Sequence, residues 1–183
     1  MEINQYNFNS YNDYTADNIS SALQKHIPLN KTPLAVCIGS DLVLGDSLGP
    51  LVGTLLKKKS ANLYVYGTLN QPITAKDVCV ARNELKQLHP NTFSIAIDAS
   101  IGEADDVGLI KVINKGLKPG LGVNKKLGVI GDVSIIGVVA GKSLQNYNLY
   151  NLTRLNLVYK MAETIADGII KFLTSRETTL KNA

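Results

Sequence analysis

The chain has 183 residues, 45% hydrophobic and 19% charged, with a formal net charge of +4. That is long enough to bury one core and too apolar for a disordered protein. No apolar run reaches the roughly 18 to 20 residues of a membrane span, and MEINQYNFNSYNDY has neither a basic start nor an apolar stretch, so a cytoplasmic chain without membrane attachment is expected.

In chain order, residues 1–12 are expected to be a flexible tail. Tyr14 to Ile27 carries Ile19, Ala22 and Leu23 at helical spacing, and Pro28 and Pro33 close the segment. Leu34 to Ile38 reads as a buried strand ending at Gly39. The loop Gly39-Ser-Asp-Leu-Val-Leu-Gly-Asp46 then leads into a helix running to about Ser60. Pro50 lacks an N–H and is tolerated only in a first turn, so Asp46 belongs at or just before the helix start. Lys57, Lys58 and Lys59 suit the far end, where cations meet the helix dipole.

Asn62 to Thr68 is a second strand. Thr74 to Leu88 is a helix with Val78, Ala81, Leu85 and Leu88 on one face and Thr74 or Asp77 near its cap. Thr92 to Asp98 is a third strand that ends on an acid, followed by strands at Val107 to Ile113 and Val133 to Val139. Between these two, Gly116-Leu-Lys-Pro-Gly-Leu-Gly-Val-Asn124 is too glycine-rich for regular structure. The last helix, Leu152 to Leu173, bears an apolar stripe of Leu155, Val158, Ala162, Ile165, Ala166, Ile169 and Leu173, and residues 177–183 read as a second tail.

Strands alternating with helices predict one α/β domain over residues 1–183, a three-layer α/β/α sandwich with a mainly parallel sheet. Ligands of such sheets bind beyond the carboxyl ends of the strands, where Asp46 and Asp98 would both stand. Two carboxylates held close together cannot both ionise cheaply, so one keeps a proton while the other can take one from water. Helix capping by Asp46 and loop bonding by Asp98 is the competing, purely structural reading. Cys37 and Cys79 sit in apolar runs and read as buried reduced thiols. With no tryptophan and 6% aromatics, a base-stacking surface is not indicated, and no direct nucleic-acid binding is expected.

Three segments carry a resemblance. Cys37-Ile-Gly-Ser-Asp-Leu-Val-Leu-Gly-Asp-Ser-Leu-Gly-Pro50 resembles the segment of the spore germination protease family in which an aspartate precedes Ala-Leu-Gly-Pro. Ile95-Ala-Ile-Asp-Ala99 is similar to that family's second aspartate motif, and Gly116 to Lys125 to its glycine-rich loop. The order agrees across roughly residues 34 to 140, and the short YyaC-like sporulation proteins look nearest. The resemblance implies a phosphorylase/hydrolase-like fold and an atypical aspartic endopeptidase with Asp46 and Asp98 as its catalytic pair. Asp41, Gly120, Gly122 and Asn124 would support the site or the substrate, without a cofactor. It also implies a protein or peptide substrate such as small acid-soluble spore proteins, a forespore location and homo-oligomers. A non-catalytic spore protein on the same scaffold is the alternative. Gly45-Asp46-Ser47 departs from the family's Pro-Asp-Ala, and no counterpart of the germination protease's propeptide is recognisable. The hydrogenase maturation endopeptidases look similar at greater distance; they gather two acids and a downstream histidine around a metal. Asp46 and Asp98 match the acids, but no histidine follows His89.

Overall fold

A computed structural model describes residues 3–60, 62–119, 128–142 and 153–182. Side-chain alternation begins before the first helix. Gln5–Asn9 forms β1, with Tyr6 and Phe8 turned against the core and Gln5, Asn7 and Asn9 outside. The expected N-terminal tail is therefore partly a strand. It is fixed by antiparallel pairing with β5 (Leu109–Ile113), Tyr6 lying opposite Val112.

The remaining elements follow the predicted alternation. They are α1 (Thr15–His26), β2 (Thr32–Cys37), α2 (Leu48–Lys59), β3 (Tyr64–Tyr66), α3 (Val78–Leu88), β4 (Thr92–Gly102), β6 (Val133–Gly141) and α4 (Leu155–Lys181). The six described strands form one sheet in the order β1-β5-β6-β4-β2-β3, and among them only β5 runs against the rest. The predicted first and third strands, β2 and β4, are hydrogen-bonded parallel neighbours with Leu34 opposite Ser94. On one face α1, α2 and α4 cover Ala35, Cys37, Ile95, Ile97, Ile110 and Ile135. On the other, α3 covers Leu34, Val36 and Ala96 through Val78 and Leu85. The result is the three-layer sandwich expected from the sequence.

Several boundaries move for identifiable reasons. Helix α3 starts at Val78 because the Asp77 carboxylate accepts the Thr74 amide at 3.0 Å and its hydroxyl at 2.6 Å, folding 74–77 into a turn. Leu88 does not share the buried face of Val78 and Leu85; it is 66% exposed. Cys79 is half-buried, not buried like Cys37, and both thiols are free. Leu155 lies outside the α4 stripe at 58% exposure, whereas Met161 and Phe172 join it. Helix α4 also continues through the residues expected to form a C-terminal tail. Arg176, buried in its last turns, donates to the carbonyls of Pro28 and Leu29 at 2.8 Å each and to that of Lys31. No described helix is long and apolar enough to cross a membrane.

Candidate active site

Asp98 lies within β4, not at its end, because pairing with β6 carries β4 on to Gly102. What ends there is its other neighbour. Cys37, the last residue of β2, pairs with Ile97, so Asp98 is the first residue beyond the β2 terminus. Alternation puts Ile95 and Ile97 among the residues under α1, α2 and α4, and Ala96 on the α3 side. Asp98, two residues past Ala96, shares the α3 side and stands opposite Ile136.

The loop after β2 brings Asp46 back over that edge. Gly39 donates to Ile73 O at 2.9 Å, Ser40 donates to Asp46 O at 3.1 Å, and the Ser47 hydroxyl caps Leu44 O at 2.6 Å. Asp46 is thereby held in a 3₁₀ turn, Gly45–Ser47, that touches β4. Two glycines permit the closeness. A Cβ on Gly39, whose φ is +141°, would meet Asp46 O at 2.0 Å, and one on Gly49 would meet Ile38 O at the same distance. On the sheet, Gly137 leaves room for Leu48, whose Cδ2 a Cβ there would meet at 2.3 Å. In the sequence, Gly39 marks only the end of a strand and Gly49 stands inside the motif around Asp46, while Gly137 carries no signal of the contact with Leu48.

Both carboxyls are half-buried. Burial drives Asp98 upward, the Ala99 amide donating to Oδ1 at 2.8 Å opposes the rise, and the Asp46 charge adds to it, leaving Asp98 pushed up to about 8. Part of the Asp98 surface reaches solvent, yet the surrounding protein is deep enough for desolvation to dominate. Burial also raises Asp46, by less, against the Ser40 amide. The coupling acts in one direction for a simple reason. Asp98 keeps its proton while Asp46 ionises and places no charge on it, whereas ionised Asp46 opposes the later ionisation of Asp98. Of the two, Asp98 holds its proton the more strongly.

Asp41 is exposed in the loop before Asp46. Gly120, Gly122 and Asn124 lie outside the described residues. Asp132 accepts the Ser94 amide at 2.8 Å and hydroxyl at 2.7 Å, at the opposite end of the sheet. The pair offers only carboxylate oxygens, and among the described residues no group of three or more His, Cys, Asp or Glu is arranged to hold a metal. Such a donor set does not fit nickel or zinc, which favour nitrogen and sulfur.

Comparison with known proteins agrees with this architecture. The structure is similar to a [NiFe] hydrogenase maturation protease, HycI from Thermococcus kodakarensis KOD1, with a TM-score of 0.55, at 16% identity over 86% of this chain and 99% of that one. At that identity the likeness is one of fold. In sequence, the chain is 42% identical over 152 residues to the uncharacterized protein YyaC of Bacillus subtilis (strain 168), covering 82% of this chain and 73% of that protein. A family model described as "Protein of unknown function (DUF1256)" matches residues 7–168, and the chain belongs to that family.

Proposed function

We propose that the chain is an endopeptidase that hydrolyses peptide bonds with Asp46 and Asp98. The observation carrying this reading is the unequal ionisation of two acids at the carboxyl end of a parallel sheet, on a scaffold similar to that of a maturation protease. Ionised Asp46 takes a proton from a water molecule as its oxygen attacks the scissile carbonyl carbon. Protonated Asp98 hydrogen-bonds the carbonyl oxygen and gives up its proton as the tetrahedral intermediate forms. Collapse breaks the C–N bond as the proton taken by Asp46 passes to the leaving amine and one hydroxyl proton of the intermediate returns to Asp98, which restores the pair. No step is assigned to a metal. The resemblance to the spore germination protease family names small acid-soluble spore proteins as the substrate class.

Digestion of such proteins tests the proposal, comparing wild type with Asp46→Asn and Asp98→Asn, with and without chelator. Cleavage by wild type, unaffected by chelator and reduced at least about 10²-fold in each variant, is expected, the general acid–base contribution being of that order or larger. Undiminished cleavage in either variant would remove the pair from the mechanism.

A further inference from the structure

A cleft of about 830 Å³ runs along the free edge of the sheet. One wall is residues 63–68, of which Tyr64–Tyr66 is strand, and the other is Asp77 in the turn before α3 with Val80, Ala81, Glu84 and Leu88 of α3. Among the described residues β3 pairs only with β2, so the outer side of β3 offers unpaired backbone groups. Two tyrosines of the strand wall are held in place by one histidine. The Tyr66 hydroxyl is 2.6 Å from His89 Nε2, and the Tyr64 ring packs on His89 at 4.3 Å between centroids.

The walls leave apolar surface open to solvent: Val80 is 59% exposed, Leu88 66% and Tyr64 50%. Their charge runs against the molecule. In a chain of net charge +4, the cleft is lined by Asp77 and Glu84 against Lys57 alone. Neither Asp46 nor Asp98 lines the cleft, but backbone contacts link one end of its lining to the Asp46 loop. Its end at Ile73 accepts the Gly39 amide at 2.9 Å, and Gly39 is packed on the Asp46 carbonyl. Asp98 is on the same face of the sheet as Ala96 and Val36, the face against which α3 packs.

We infer that this cleft binds the substrate: an extended, basic peptide adds as a strand to the open edge of β3, sets its apolar side chains against Tyr66, Val80 and Leu88, and carries its following peptide bond to Asp46 and Asp98. Main-chain bonds to the edge supply affinity, alternate side chains supply selectivity, and the acidic wall favours lysine and arginine. This rests on the peptidase reading for the last step only; strand addition can be measured without turnover.

The experiment is fluorescence anisotropy with labelled decapeptides, an alternating Val-Lys repeat and an alternating Val-Glu repeat. The protein is the full chain, as wild type and as the Asp46→Asn/Asp98→Asn double variant. The Val-Lys peptide binds both proteins, and the Val-Glu peptide binds at least about tenfold more weakly, a difference of about 1.4 kcal/mol. Val80→Arg lowers Val-Lys affinity about tenfold or more, Glu84→Lys narrows the preference between the peptides, and N-methylation of alternate peptide amides removes binding. Leu180→Arg, at a site 52% exposed on α4, leaves binding unchanged. Melting temperatures near wild type establish that the variants fold. Peptide bound through Val80 but never cleaved supports the cleft and counts against the peptidase reading alone. Equal binding by Val80→Arg, no binding by wild type, or a wild-type dimer that Val80→Arg dissociates without any peptide binding would overturn the inference.

Discussion

Asp98 carries opposite consequences for stability and for chemistry. Its proton is held up to about pH 8 in the folded chain, against 3.8 for an ordinary aspartate. Between those values the folded state binds more protons than the unfolded state, so the Asp98 contribution to stability is complete below about pH 4. It is lost progressively as pH rises to about 8. Asp46 shifts in the same direction, less strongly. Asp98→Asn cannot ionise and escapes this loss. Thermal melts across pH should therefore show the variant gaining on wild type from pH 4 to pH 8 and no further above it. A constant offset would mean that Asp98 ionises normally in the fold. The two aspartates stand out in the sequence as candidates, because Asp46 follows the loop after one apolar strand and Asp98 closes the apolar run of another. That one of the two keeps a proton was expected as well; which one was not, because it is set by how deeply the fold buries each carboxyl.

The elements around the pair owe their closeness to absent side chains. A Cβ on Gly49 would meet Ile38 O at 2.0 Å, a backbone atom that cannot rotate away. Gly49→Ala is expected to cost about 1–3 kcal/mol in denaturant unfolding, as overpacking does, and to lower hydrolysis by displacing the Gly45–Ser47 turn. A neutral effect would show that α2 can move off the strand. Helix α4 is held differently. Arg176→Met strips charged donors from the three carbonyls of Pro28, Leu29 and Lys31, and a loss of about 1.5–3 kcal/mol is expected, the order of a hydrogen bond from a charged group. Among the described residues, periodicity located the four α-helices and five of the strands, but it missed β1. Gln5–Asn9 is polar at three of five positions, and only pairing with β5 makes it a strand. It missed the end of α4 as well, because an arginine anchoring another turn looks in sequence like a solvated tail.

At the scale of the whole molecule, the alternation of strands and helices gave the layers, and motif order gave the YyaC-like relationship. Neither gave the strand order, which leaves β3 at one edge and creates the cleft, since lateral position is set by crossovers that leave no periodic trace. The reading of the molecule as a peptidase turns on one electrostatic relation, the effect of Asp46 on the proton of Asp98. Side-chain carboxyl NMR titration of the chain, ¹³C-labelled at aspartate, measures it directly in wild type and in Asp46→Asn. The account predicts that the Asp98 carbon titrates near 8 in wild type and lower once the Asp46 charge is removed. Titration of Asp98 close to 3.8 in wild type, or at the same pH in both proteins, would contradict it.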